Sequence, residues 1–232
     1  METSEAESSS NSTVMKGWWK MGEMPVAIKT APAAITEESF KEGQKYLRSE
    51  AQITAREDYF GIVKVLDLVK HNDELLMIME YLKKEDNLRE RLSSGQKFKR
   101  KDILRMSTQL CSILSNLQSK EIGQNQAAVL HRDIKPDNIF DNGEFIKVID
   151  LGEANITLKT TESVDSRGTP GYVAPERYMK KEETPASDIY SLGATIYEFS
   201  TGKRLFDLVH KDGRQREDLD IMREQMLAKK MN

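Results

Sequence analysis

The alternation of apolar and polar residues divides the chain into a strand-rich first part and a helical second part. "PVAIKT" (residues 25–30) is a short apolar run interrupted by one lysine and predicts a strand. "GIVKVLDLVK" and "ELLMIMEYL" predict two more strands, joined by a turn at "HND". Between them lies a stretch with helical character. Thr36 is placed to cap its start, Glu37 and Glu38 sit near the positive end of its dipole, and Phe40, Tyr46, Leu47 and Ile53 carry it onward. Further along, "NLRERL" begins a short helix. In "KDILRMSTQLCSILSNLQ", Ile103, Leu104, Met106, Leu110, Ile113, Leu114 and Leu117 recur at helical spacing. "SDIYSLGATIYEFSTG" reads as an apolar helix that stops at Gly202, and the charged residues 203–232 read as a final helix. "NIF" and "FIKVID" flank Asn142-Gly143, a dipeptide suited to a hairpin because both residues tolerate positive φ. No internal repeat is visible.

Composition narrows the class. At 232 residues, 38% of them hydrophobic, the chain is long enough for one large domain or two small lobes with a shared cleft. A formal net charge of −3 with no basic patch speaks against nucleic acid as a partner. No apolar run approaches the length of about 18 residues that a membrane span needs. The first 13 residues, "METSEAESSSNST", are polar, Ser-rich and without a signal-peptide core, and read as an acidic tail. Cys111 is the sole cysteine and has no internal disulfide partner, which fits a reducing compartment, cytoplasmic or nuclear. Its setting in "STQLCSILSNL" predicts a small buried apolar residue.

The chemistry concentrates in "LHRDIKPDNIFDNGEFIKVIDLGEA", residues 130–154. A carboxylate, Asp133, is followed by Lys135 and Asn138, and after the predicted hairpin comes Asp150. An amide oxygen and a carboxylate are hard ligands of the kind Mg²⁺ takes. A neighbouring carboxylate can accept a hydroxyl proton, and a lysine beside it can neutralise a transferring phosphoryl group. These are the working parts of phosphoryl transfer, in which positioning and charge stabilisation dominate.

The same residues fall in the order found in eukaryotic protein kinases, and the chain resembles that family, of the serine/threonine type, over roughly residues 14–206. The fixed positions of "HRDxKPxN" would coincide by chance in about one chain in a hundred thousand of this length. The resemblance implies an α+β, two-lobed fold. Residues 14–79 would form a β-rich N-lobe, and 80–232 the hinge and a mainly helical C-lobe that lacks its last helices; residues 1–13 would be a tail or a degenerate flap. It implies ATP and Mg²⁺ as cofactors and the Ser and Thr hydroxyls of proteins as acceptors. "VAIK" supplies Lys29 for the nucleotide phosphates, and Glu50 is its ion-pair partner. "MIMEYL" resembles the hinge, with Met79 as gatekeeper and the backbones of Glu80 and Leu82 facing adenine. Asp133 becomes the base, Lys135 the phosphate clamp, and Asn138 and Asp150 the metal ligands. "DLG" stands where relatives carry Asp-Phe-Gly. "GTPGYVAPE" ends the activation segment, and Asp188 of "SDIYSLG" braces the catalytic loop. Lys135 and Thr169 both fit a serine/threonine enzyme, since Thr169 can hydrogen-bond Asp133 and Lys135 and hold a small hydroxyl at reaction distance.

Departures from the family pattern open a second reading. The glycine-rich loop falls on "ESSSNSTV", where Glu7, Ser9 and Ser12 replace the three glycines. Glu176 of "APE" lacks its usual buried arginine, and Arg204, Arg214, Arg216 and Arg223 are the substitutes available. These features suit a kinase-like module that binds and regulates a full kinase without its own catalysis, or a partner that covers the C-lobe. His131 reads as a packed structural histidine. Arg132 reads as an anchor for a phosphate on the activation segment or for Asp165 in its place, with Ser163 and Ser166 as phosphosites. Trp18 and Trp19 read as packing on the small lobe.

Overall fold

The computed structural model describes residues 3–9, 12–20, 23–31, 36–55, 60–119, 128–151, 155–157, 169–178 and 183–206. The chain divides into two compact units. The first comprises Met1–Lys84 with Ile149–Gly152, and the second Glu85–Val148 with Glu153–Asn232. The predicted α+β class holds: the first unit is built on a sheet and the second mainly on helices.

In the first unit, β1 (Thr3–Ser9), β2 (Ser12–Trp19), β3 (Met24–Thr30), β4 (Val65–His71) and β5 (Glu74–Glu80) form one antiparallel sheet in the order β1-β2-β3-β5-β4. Residues 3–9 are therefore a strand, which departs from a tail and leaves the flap alternative standing. A Ser-rich segment offers no apolar alternation, yet its backbone pairs with β2 from Thr3↔Gly17 to Ser9↔Ser12. The glycine-loop frame straddles the end of β1 and the start of β2, and its residues 10 and 11 lie outside the described residues. The "HND" turn forms as expected. Asn72 and Asp73 both take positive φ (47° and 65°), as a two-residue hairpin requires. Alternation along β3 places Val26 and Ile28 on one face, where they pack with Ile78 and are flanked by Trp19, Leu66, Val69 and Leu76. Of the two tryptophans, Trp19 joins this core and Trp18 is exposed.

Helix α1 (Glu37–Thr54) begins at Thr36 in a capping box with Ser39. Its buried stripe is Gly43, Leu47, Glu50, Ala51 and Ile53. A glutamate on an otherwise apolar stripe is the exception that leads to the site described below.

The second unit holds α2 (Leu88–Ser93), α3 (Arg100–Ser119), β6 (Ala128–Leu130), β7 (Ile139–Asp141), β8 (Ile146–Val148), β9 (Asn155–Thr157), α4 (Pro175–Tyr178) and α5 (Pro185–Thr201). Strand β6 pairs with β9, and β7 with β8. Helix α3 buries Met106, Leu110, Ile113, Leu114 and Leu117. Cys111, one residue past Leu110, is turned about 100° from that stripe and is exposed, which corrects the burial expected of it. The Asn142-Gly143 hairpin forms with a four-residue loop, because Asp141 pairs with Ile146. Only Gly143 takes positive φ (92°), while the Asn142 side chain accepts the N–H groups of Glu144 and Phe145. Helix α5 starts at Thr184 with a capping box and Pro185 in its first turn, and stops where Gly202 turns left-handed (φ 72°). The final helix expected over residues 203–232 falls mostly outside the described residues. Among the described residues no helix is long and apolar enough to cross a membrane.

Asp141 joins three elements of this unit. It is 1% exposed and pairs with Arg91 of α2 and Arg105 of α3, each at 2.8 Å. Removing one member of a buried ionic cluster leaves the others uncompensated. We expect Asp141→Ala to destabilise the protein by roughly 3–5 kcal/mol in denaturant unfolding, against less than about 0.5 kcal/mol for a change at exposed Glu144.

Candidate active site

Within the first unit, strand β3 and helix α1 present one charge each to the same point. Lys29 Nζ lies 2.7 Å from Glu50 Oε1 and 2.8 Å from Oε2, and 2.8 Å from Asp150 Oδ1. Lys29 and Glu50 are 6% and 5% exposed. Asp150 is more open, and its backbone is held left-handed (φ 66°), a conformation that aspartate tolerates better than most side chains. Burial works to lower the Lys29 pKa, but the Glu50 and Asp150 carboxylates outweigh it, and the ammonium is held well above the ordinary lysine value. The site therefore carries a fixed positive charge and one partly exposed carboxylate, as binding of a polyphosphate with its cation requires. Met79 is buried near the end of β5. The Glu80 N–H donates to Lys64 O and the Glu80 carboxylate accepts the Lys64 N–H. Leu82 follows the strand and is half-buried.

The second unit gathers Asp133, Lys135, Asn138 and Thr169. Lys135 Nζ is 2.7 Å from Asp133 Oδ2 and donates to Thr169 Oγ1 at 2.6 Å; Thr169 in turn donates to Asp133 Oδ1 at 3.0 Å. Asn138 Nδ2 donates to the Asp133 carbonyl at 2.8 Å and to Oδ2 at 3.0 Å. Both bonds use the amide nitrogen, which leaves Asn138 Oδ1 as a ligand-type oxygen. Among the described residues no group of three or more His, Cys, Asp or Glu side chains is placed to hold a metal ion. Asp150 in the first unit and Asn138 in the second each offer a hard oxygen of the kind Mg²⁺ takes.

The loop bearing Asp133 is fixed from behind. Asp188, 1% exposed in the first turn of α5, accepts the N–H of His131 at 2.8 Å and of Arg132 at 2.9 Å. His131 is fully buried, and its Nδ1 receives the Asp133 N–H at 3.3 Å. The Arg132 backbone is left-handed (φ 70°), a strain of about 1–3 kcal/mol for a non-glycine residue. A second network, outside the expected set, ties Arg89 to Asp137 (3.2 Å) and Glu198 (2.7 Å), with Tyr172 donating to Glu198. Burial and the bond to Glu198 raise the Tyr172 pKa, so its hydroxyl stays a donor. Asp137 and Tyr172 lie within the "HRDIKPDN" and "GTPGYVAPE" motifs, whereas Arg89 and Glu198 sit on helices α2 and α5 with no motif to mark them.

Glu176 accepts a hydrogen bond from Ser187 at 2.7 Å, and among the described residues the candidate Arg204 lies 3.7 Å from Glu198. Arg214, Arg216 and Arg223 fall outside the described residues. Arg132 pairs with Glu183, while Asp165, Ser163 and Ser166 lie outside the described residues.

The sequence pattern of the protein kinase domain matches residues 8–232, further at both ends than the stretch picked out by motifs alone. This chain belongs to the protein kinase domain family. It is 34% identical over 163 residues to the serine/threonine-protein kinase PrkC of Bacillus subtilis, covering 69% of this chain and 24% of that protein. It is 34% identical over 197 residues to serine/threonine-protein kinase A of Synechocystis, covering 79% and 36%. To serine/threonine-protein kinase pkn3 of Myxococcus xanthus it is 32% identical over 170 residues, covering 68% and 30%. The chain thus spans about a quarter to a third of the length of these relatives.

The raised Lys29 pKa gives a signed prediction. Because the folded value lies above the unfolded one, the stability this ammonium contributes is fully present below about 10.5, the ordinary lysine value, and is lost only as pH rises beyond it. In Glu50→Gln, burial persists with one carboxylate fewer, so the pKa falls. Amine-reactive labelling read by mass spectrometry should leave Lys29 protected up to pH 10 in the native protein and modify it at lower pH in the variant.

Proposed function

We propose that this chain is an ATP-dependent protein serine/threonine kinase. One observation carries the reading: a threonine hydroxyl already sits between a carboxylate and an ammonium, with Thr169 Oγ1 donating to Asp133 and accepting from Lys135. An acceptor serine or threonine needs the same surroundings. Its hydroxyl proton passes to Asp133 as its oxygen bonds to the γ-phosphorus and the bond from that phosphorus to the ADP oxygen breaks. Lys135 faces the same carboxylate and neutralises charge on the transferring group. Asn138 holds the Asp133 side chain in register through its amide nitrogen. Lys29, fixed in its charged form by Glu50 and Asp150, binds the nucleotide phosphates. ATP supplies the phosphoryl group, and Mg²⁺ supplies charge neutralisation, with Asp150 and Asn138 as the protein's hard oxygens. The compact carboxylate–hydroxyl arrangement supports small aliphatic hydroxyls as acceptors, and the similarity to serine/threonine-protein kinases supports the same class.

The test is phosphate transfer from Mg²⁺-ATP to a protein rich in serine and threonine, followed by phosphoamino-acid analysis. We expect phosphoserine or phosphothreonine, and a fall of roughly 10²–10⁴-fold in kcat for Asp133→Asn. Equal, background-level transfer by both proteins would overturn the reading.

A further inference from the structure

Arg132 lies beside the base, and its side chain runs away from it to a buried carboxylate. Arg132 Nε is 2.8 Å from Glu183 Oε2, and Arg177 Nε is 3.4 Å from Glu183 Oε1. Glu183 is 6% exposed and Arg177 3%. Neither Nε–H is aligned for a hydrogen bond to its carboxylate oxygen, so the attraction is coulombic and not directional. Arg177 closes a ring: its Nη1 donates to the Arg132 carbonyl at 2.6 Å. The Arg132 N–H is already held by Asp188 at 2.9 Å. The left-handed backbone of Arg132 is thus gripped at its N–H, its carbonyl and its side chain, immediately before Asp133.

Glu183 is the carboxylate that the two guanidinium groups share. Without Glu183, both guanidinium groups would lose that counter-charge. Their repulsion would draw Arg177 from the Arg132 carbonyl and relax the strained residue next to the base. A phosphate added to the chain near this point would be the usual way to supply such a counter-charge.

We propose that Glu183 is a built-in counter-charge and a positioning residue for Asp133, which makes phosphoryl transfer independent of any phosphate added to the activation segment. The inference rests on the kinase reading for its activity readout, but its structural half does not. Sequence gave no means of choosing Glu183 from the charged run "KKEE".

The experiment compares the full chain with Glu183→Gln, Glu183→Asp and the exposed control Glu144→Gln. Amide hydrogen exchange over residues 129–136 should be about tenfold faster in Glu183→Gln. It should be unchanged in the control and largely restored in Glu183→Asp, which keeps the charge. After phosphatase treatment, kcat of the unaltered chain should stay within about twofold, and that of Glu183→Gln should fall at least about tenfold with KM for ATP little changed. Native-like exchange in Glu183→Gln would overturn the proposal whatever the activity. So would a Glu183→Asp protein that behaves like Glu183→Gln, or a tenfold loss in the unaltered chain on dephosphorylation. If the unaltered chain transfers no phosphate, the kinase reading fails by itself, and the exchange data still decide the role of Glu183.

Discussion

The carboxylate of Asp188 is the point from which the second unit's chemistry is suspended. It sits in the first turn of α5, where the helix dipole favours negative charge. The helix is fixed there by the Thr184 capping box and by Pro185, whose ring pre-sets φ. From that fixed point Asp188 takes two consecutive backbone N–H groups, those of His131 and Arg132. Two charge-assisted bonds of this kind, worth roughly 1.5–3 kcal/mol each, are enough to hold Arg132 in a backbone region that costs about 1–3 kcal/mol. The chain then leaves Arg132 in a direction that delivers Asp133 to Lys135, Asn138 and Thr169. The aim of the Asp133 carboxylate is thus set on α5, 55 residues later in the sequence.

The first unit solves a different problem, which is to keep a lysine charged while removing it from water. Lys29 sits on β3 opposite in phase to Val26 and Ile28, and Glu50 sits on the apolar stripe of α1. Neither position would tolerate a lone charge. Two carboxylates against one ammonium leave an excess of one negative charge, and the more exposed of the two, Asp150, is the one suited to a cation.

Much of this was legible in the sequence because it is local. Thr36 caps the turn next to it through its side chain, Gly202 and the "HND" turn act through their own backbone, and "HRDxKPxN" concentrates its polar groups within eight residues. The misreadings share a physical origin. Residues 3–9 have the composition of a tail, but a strand needs only a neighbour for its N–H and C=O groups, and β2 provides one. Cys111 was assigned by residue type, whereas its position beside Leu110 places it off the α3 stripe. The Asn142-Gly143 hairpin forms as read, and its loop length is set by the Asp141–Ile146 pairing. Glu183 pairs with Arg132, far away in sequence, and no periodicity identifies such a partner.

The buried ions of this chain follow one rule. Lys29–Glu50–Asp150, Arg91–Asp141–Arg105, Arg89–Glu198–Asp137 and Arg132–Glu183–Arg177 each tie together segments that local structure leaves independent. Apolar residues of equal volume would often give as much stability, so stability does not explain why charges occupy these places. An apolar contact accepts a range of rotations and slides at little cost, whereas an ion pair in a low-dielectric setting loses energy steeply when its geometry fails. Transfer of a phosphoryl group is sensitive to misplacements on the order of an ångström. Positions where apolar packing would have left that freedom are the ones where this sequence spends a pair of charges, and the strained backbones of Arg132 and Asp150 each carry one such contact directly.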